Sequence, residues 1–295
     1  MGPIQIIYNP SSGAGLGQRN YDIITAILKE KNIPYTSTQS EHIGHPTEIA
    51  AHAVAAGVKQ ILCLGGDGSV RETGISLAGT ETVLSIIPSG SGNDLARALK
   101  IPTDPVKALD IALNCTPRKM DVGDANGKLF FNVAGFGFDV DVLEWDQVFR
   151  SKGFKGSFSY LLGLLKSLSN LLLRKTRITT PEMTTERNCL IVAVGNGTSF
   201  GGGMTVCPGA DPFDGKFNVC VMHDVNRANC LVLLAKFLSG KHVNDKKHVD
   251  YFQTTEITCE CEPSSMLELD GEIMKGTPVT FRLIPGGITV TAPEN

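Results

Sequence analysis

Gln60-Ile61-Leu62-Cys63-Leu64-Gly65-Gly66-Asp67-Gly68-Ser69 reads as a short buried strand, Gln60–Leu64, that ends in a glycine turn. An apolar run of this length, bounded by glycine, suits a strand covered on both faces. A helix is expected from about Val70 to Ala78. The same unit recurs on both sides. Ile4–Tyr8 is a strand followed by the loop Asn9–Gly17 and a helical stretch around Tyr21–Lys31. Tyr35–Gln39 leads to a helix opening near Pro46 and Thr47, with Pro46 suited to the first turn. Thr82–Ile87 runs into Pro88-Ser89-Gly90-Ser91-Gly92-Asn93-Asp94, and Asp104 and Pro105 cap and open a helix reaching Leu113. Repeated strand–loop–helix units imply a doubly wound, mostly parallel α/β sheet with ligands at the carboxyl ends of its strands.

The pattern changes near Lys119. Short strands follow at Leu129–Val133, Asn188–Val194, Phe217–Met222, Glu256–Cys261, Pro278–Ile284 and Ile288–Thr291, with helices around Phe158–Leu173 and Val225–Leu238. Asn126-Gly127 is a hairpin signal. A mostly antiparallel, β-rich second domain is therefore expected over residues 121–285, after an α/β domain over 1–120. The last strand, about 286–295, is free to return to the first domain. The 295 residues are enough for two domains.

Composition excludes several classes. A net charge of −3 gives no global reason to expect nucleic acid as a partner. The eight cysteines are scattered, with no C-x-x-C pair, so buried reduced thiols in a cytoplasmic protein are expected rather than zinc. No apolar run approaches the roughly 20 residues that span a bilayer. Oligomeric state is left open, a homodimer included.

Phosphate needs several backbone N–H groups converging on it, hence loops without bulky Cβ atoms. Three loops have that character: Asn9-Pro10-Ser11-Ser12-Gly13, Gly65–Ser69 and Pro88–Asp94. On the predicted sheet all three share one edge. Any one alone reads as a tight turn; together they read as one phosphate site. Asp67 stands out, because a carboxylate in a phosphate turn repels its ligand unless Mg²⁺ intervenes. The competing reading makes Asp67 a helix cap, although Ser69 can serve there.

These residues resemble the nucleotide-binding motifs of the diacylglycerol kinase catalytic-domain family, nearest its soluble bacterial lipid kinases: Asn9–Gly13, Gly65–Ser69 with Glu72, and Gly90-Ser91-Gly92-Asn93-Asp94. The Gly65 loop alone is similar to those of NAD kinases and phosphofructokinases. The likeness continues through Asp121-Val122-Gly123, Phe131–Gly137, Val194–Gly197, Gly201–Met204, Cys207–Ala210 with Asp214-Gly215, and Asp270-Gly271-Glu272.

The resemblance implies ATP as co-substrate, Mg²⁺ as cofactor and a membrane lipid as acceptor, with diacylglycerol converted to phosphatidic acid. It places Gly65, Gly66, Asp67, Gly68, Ser69, Val70 and Arg71 over the ATP phosphates. Asn9, Pro10, Ser11, Ser12, Gly13, Ser40 and Ser91 are further nucleotide contacts. It also implies that Glu272 is the catalytic base, joining Asp67 in the catalytic set. A positioned carboxylate suits a lipid hydroxyl, which is a poor nucleophile; without the upstream loops Asp270–Glu272 is simply a hairpin turn. In related enzymes the spacing of Asp211, Asp214 and the Lys216 carbonyl binds a Mg²⁺ that helps join the domains; an acidic turn without metal is the alternative. Ser40, Ser69 and Ser91 stand where the family prefers threonine, Arg71 where asparagine is common, and the first loop lacks a lysine found in some relatives.

Phe149–Arg177 holds seven basic residues and no acidic one. Its leucines, with Phe158, follow helical spacing and are expected to pack inward, while the flanks, with Lys152, Lys155, Arg174 and Lys175, are the expected contact with anionic lipid. A cytoplasmic protein transiently at the membrane surface follows. Two alternatives remain: a kinase for a soluble alcohol such as NAD, and a catalytically silent lipid- or nucleotide-binding regulator.

Overall fold

The computed structural model describes residues 3–294 except Lys155 and Leu238, with backbone alone at 156, 157 and 160. In chain order the first part runs β1 (Ile4–Tyr8), α1 (Leu16–Glu30), β2 (Tyr35–Gln39), α2 (His45–Ala55), β3 (Gln60–Gly65), α3 (Asp67–Leu77), β4 (Val83–Pro88), α4 (Asp94–Ala98) and α5 (Pro105–Asn114). The four strands are parallel, in the order β2-β1-β3-β4. β3 is buried along its whole length, as its unbroken apolar run requires when both sheet faces are covered. Ile24 and Leu28 of α1, Leu77 of α3 and Leu109 of α5 belong to the same core as Ile6, Leu62 and Ile86. From β1 the chain steps to β2 on one side, then crosses to β3 on the other. The crevice at the carboxyl ends of β1 and β3 is thus a topological switch point, where sheets of this kind bind ligands.

The chain continues through β5 (Pro117–Ala125), β6 (Lys128–Phe130), β7 (Val133–Gly137), α6 (Phe138–Ser151), α7 (Gly156–Ser169), β8 (Arg174–Thr179), β9 (Thr184–Gly195), the short pair β10 (Ser199–Phe200) and β11 (Met204–Thr205), and β12 (Phe217–His223). It ends with α8 (Arg227–Phe237), β13 (Val249–Thr254), β14 (Glu256–Glu262), β15 (Leu267–Leu269), β16 (Glu272–Met274) and β17 (Val279–Thr291). Here the pairings are antiparallel, around a core in which Phe130 meets Phe217 and Phe281. β17 joins the two parts: it pairs antiparallel with β14 and β5, while Thr289 and Val290 run parallel to Val83 and Leu84 of β4. A doubly wound, mostly parallel α/β region followed by a mostly antiparallel one is what the sequence implied. All eight cysteines are free, and no described helix is long and apolar enough to cross a membrane.

Three local readings change. α6 occupies a stretch from which no helix was expected, with Asp139 and Asp141 in its first turn. Arg174–Thr179, read as a helix flank, is strand β8, with Arg174, Thr176 and Ile178 buried and Lys175 and Arg177 exposed. The Arg174 guanidinium donates two bonds to Asp141 of α6, at 2.6 and 3.1 Å, and is withdrawn from any membrane surface. Finally, the apolar stripe of α7 splits. Leu164 and Leu168 pack on the core, whereas Phe158, Leu161 and Leu165 are exposed by 54%, 47% and 55%. The expectation that these leucines pack inward holds for only half the helix. Lys155 lies outside the described residues.

Candidate active site

The loops that follow β1, β3 and β4 touch one another, and glycine is what permits it. A Cβ on Gly66 would sit 3.0 Å from the Gly90 backbone, and one on Gly13, at φ +55°, would sit 2.5 Å from the Ser89 carbonyl. Asn20 of α1 donates to the Pro88 carbonyl and the Ser89 hydroxyl, at 3.2 and 2.9 Å, which fixes the third loop. The Asn9 carboxamide accepts from the Ser11 backbone N–H and hydroxyl, at 3.1 and 2.8 Å, shaping the first.

Two cavities flank this junction. The larger, about 770 Å³, lies at the switch point. It is lined by Asn9, Pro10, Ser11 and Ser12, by Gly66, Gly68, Ser69 and Glu72, by Gln39–Ile43 with Pro46, and by Glu272. The second, about 510 Å³, lies between the two parts of the chain. Asp67, Arg71, Ser91 and Leu95 line it from one side; Val133, Asp139, Leu143, Asp146, Phe200, Glu268 and Asp270 line it from the other. Most of the sequence-derived nucleotide residues thus share one cavity. Ser91, Asp67 and Arg71 face the other, and Gly13, Gly65 and Val70 build the loops without lining either.

Asp67 begins α3, and no side chain caps that helix. Its carboxylate instead accepts from the backbone N–H groups of Asn93 and Asp94, both at 2.7 Å. Asp67 therefore ties the second glycine loop to the third, and neither cap reading describes it. Each oxygen keeps a lone pair, so the residue retains the hard-oxygen donors that suit a hydrated Mg²⁺. Arg71, 5% exposed, sits one helical turn further on. Its guanidinium donates to Glu272 of β16 at 2.6 Å and lies 4.0 Å from Asp270. Asp270 is fixed in turn: it accepts from the backbone N–H groups of Phe131, Asn132 and Val133. Burial nonetheless pushes its carboxyl up to about 6. Arg71 and Glu272, 201 residues apart in sequence, form a contact with one partner in the wall of each cavity.

Sequence reasoning missed three further acids of the second cavity, Asp139, Asp146 and Glu268. Glu268 accepts from the Gly271 N–H, and burial raises its carboxyl well above the usual range. Burial likewise moves Asp139 up to about 6, and its Oδ1 is enclosed without a hydrogen-bond partner. A charged residue inside the apolar strand Leu267-Glu268-Leu269 was the available signal for Glu268. Asp139 opens a helix that was not expected, so its placement gave no signal.

Asp211, Asp214 and Lys216 line neither cavity. They form a turn in which Asp211 accepts from the Phe213 N–H and Asp214 from the Lys216 N–H, at 3.1 and 2.9 Å. Asp121, 4% exposed, grips this turn through the Gly215 N–H and the β17 turn through the Gly286 N–H, both at 2.8 Å. Asp214 also accepts from Gln253 Nε2 at 3.2 Å, so Asp211 Oδ2 is the carboxylate oxygen outside these bonds, which suits only a Mg²⁺ that keeps most of its water. Among the described residues no group of three or more His, Cys, Asp or Glu is placed to hold a metal. Asp121 has both oxygens committed to backbone and acts as a tie between turns.

Known proteins are similar to this chain. The family model described as the diacylglycerol kinase catalytic domain matches residues 3–125, and the one described as the YegS C-terminal NAD kinase beta sandwich-like domain matches residues 132–292. A Mycobacterium tuberculosis protein named diacylglycerol kinase is 30% identical, over 100% of this chain and 96% of its own. A Pseudomonas aeruginosa relative named a probable YegS-like lipid kinase is 33% identical over 85% of this chain and 82% of its own. A solved Bacillus anthracis structure titled as a diacylglycerol kinase shares the fold, with TM-score 0.74, 22% identity, and 99% and 97% of the two chains covered. With both family models matched in order and a relative of this identity aligned from end to end, the chain belongs to the diacylglycerol kinase family, on its bacterial lipid-kinase branch.

Proposed function

We propose that the protein transfers the γ-phosphoryl group of ATP to the hydroxyl of a membrane lipid, diacylglycerol, giving phosphatidic acid. The observation that carries this reading is the Arg71–Glu272 contact, with one partner in the wall of each cavity. The larger cavity has the glycine loops and serine hydroxyls that triphosphate binding needs. The smaller offers Leu95, Val133, Leu143 and Phe200 to the carbon skeleton of an acceptor. At the boundary Glu272 takes the proton of the attacking hydroxyl while Arg71 holds it in place. Asp67 fixes the phosphate loops against each other. Mg²⁺ arriving with ATP would offset the repulsion between Asp67 and the phosphates. A second Mg²⁺ at Asp211, Asp214 and the Lys216 carbonyl would brace the turn that Asp121 already holds.

The acceptor reaches the site from a bilayer. α6 contributes Leu143, Asp146 and Arg150 to the second cavity, and the adjoining α6–α7 hairpin exposes Phe154, Phe158, Leu161 and Leu165 between Lys152 and Lys166. Apolar side chains with basic flanks fit an anionic leaflet, which supports the reading of a cytoplasmic protein transiently at the membrane surface. Two relatives named for diacylglycerol kinase activity favour diacylglycerol as the acceptor.

The test is transfer of labelled γ-phosphate from ATP to dioleoylglycerol in mixed micelles, with NAD as the competing acceptor. Labelled phosphatidic acid supports the reading. Labelled NADP without lipid product, or no transfer to either, overturns it.

A further inference from the structure

The smaller cavity is walled by acids. Asp67, Asp94, Asp139, Asp146, Glu268 and Asp270 line it, against Arg71 and Arg150 among its described lining residues. Both arginines are already engaged. Arg71 pairs with Glu272 and lies near Asp270, and Arg150 donates to Asp146 Oδ2 at 2.7 Å. Burial raises the Glu268 carboxyl well above the usual range; with that residue set aside, five acids still face two arginines. The acids of α6 stand out. Asp139, Leu143, Asp146 and Arg150 recur every three or four residues, so one stripe of the helix faces the cavity. Seven residues put Asp139 and Asp146 two turns apart, about 10 Å along the axis. Asp146 is 6% exposed, and its Oδ1 is enclosed without a hydrogen-bond partner, as is Asp139 Oδ1. Such an oxygen repels a ligand group that brings only negative charge and acceptors. Just beyond α6, Lys152 and Lys166 flank the apolar residues that the hairpin exposes. The outer surface thus attracts anionic lipid, while the cavity behind it carries the opposite charge.

Resting on the lipid-kinase reading above, we propose that Asp139 and Asp146 make the smaller cavity a charge filter, which admits uncharged lipid alcohols and refuses anionic lipids that also carry hydroxyls. The same filter acts after transfer. The product's phosphomonoester adds about −1.5 to −2 charges inside the cavity that its uncharged precursor entered. Repulsion from the α6 acids then drives its release, so one pair of residues serves both acceptor selection and turnover.

The experiment follows transfer from ATP to dioleoylglycerol in uncharged detergent micelles, with a low mole fraction of phosphatidic acid or phosphatidylglycerol as competitor. It is run at pH 8, where Asp139, raised by burial to about 6, is ionised. Wild type, Asp139→Asn, Asp146→Asn and the double variant are compared through the ratio of each competitor's Ki to the dioleoylglycerol KM. A loosened fold moves both constants together, and thermal unfolding checks that each variant folds. One like charge about 8 Å away, at an effective dielectric constant of about 20, is enough for about a tenfold change. The ratio should therefore exceed about ten in the wild type, fall about tenfold in each single variant and fall further in the double. The fall must come from Ki. A ratio unchanged in both single variants overturns the filter. So does one that falls because KM rises, since the acids are then hydrogen-bond partners of the acceptor. A wild type that binds phosphatidic acid as tightly as dioleoylglycerol, or phosphorylates phosphatidylglycerol as fast, overturns the filter and spares the kinase reading. A wild type that makes no phosphatidic acid overturns both.

Discussion

Replacing Glu272 with glutamine removes one charge and little else. The side chain is 39% exposed and its partner Arg71 is nearly buried, at 6%. Glutamine can still accept the Arg71 N–H through its amide oxygen, and Arg71 keeps Asp270 at 4.0 Å. A half-exposed ion pair is worth no more than about 1 kcal/mol, so thermal stability should hardly move. Catalysis should move greatly, because a positioned general base contributes about 10²–10⁴-fold to turnover. ATP affinity should stay the same or tighten a few-fold. Glu272 lines the proposed nucleotide cavity, and losing its charge leaves Arg71, in the wall of the adjoining cavity, less neutralised. The assay measures kcat with dioleoylglycerol and the ATP Kd on one preparation of Glu272→Gln. A kcat within a few-fold of wild type refutes the general-base role. A collapse of ATP binding refutes it differently, by making Glu272 a nucleotide ligand.

Four further outcomes are expected. Asp67→Asn should abolish turnover and also cost about 1–3 kcal/mol of stability, since an amide cannot accept from both the Asn93 and Asp94 N–H groups; normal turnover or unchanged urea unfolding counts against this. Arg174→Ala strands Asp141 beside α6 and should cost about 3–5 kcal/mol in urea unfolding; a loss below about 1 kcal/mol contradicts the buried-pair reading. Asp139 titrates near 6 when folded, above its unfolded value, so the folded state holds a proton that the unfolded state releases; its contribution is full at low pH and is lost as pH rises from about 4 to about 6. Asp139→Asn should therefore raise Tm at pH 8 relative to wild type and flatten that slope, by up to about 3 kcal/mol, and an unchanged pH profile of Tm would exclude it. Changing Phe158, Leu161 and Leu165 together to serine should weaken sedimentation with anionic vesicles by about tenfold or more, while unchanged sedimentation moves the membrane face elsewhere.

The parallel half of the fold was legible because its signals are local. Ile4–Tyr8 and Tyr35–Gln39 are strands over the residues read from the sequence, and the β3 and β4 ends differ by one residue. Glycine marks loops where another backbone must approach, as Gly66 and Gly90 do. β8 was hidden because its inward residues are Arg174, Thr176 and Ile178, and two of these are polar. Periodicity placed α7 on a helix but not its exposed side, since apolar residues cover both faces. The Asp67–Asn93 tie and the Arg71–Glu272 contact depend on how distant segments meet, and no local pattern encodes that.

On the proposed function, nucleotide and lipid lie side by side, meeting at Arg71 and Glu272. A single compound in which the hydroxyl oxygen of diacylglycerol is joined to the γ-phosphate of ATP tests it most directly. If the cavities adjoin as described, the linked compound should bind about 10²–10⁴-fold more tightly than ATP, because its second half binds intramolecularly. It should also displace both ATP and dioleoylglycerol. Affinity no better than that of ATP alone, or displacement of only one substrate, would contradict the account.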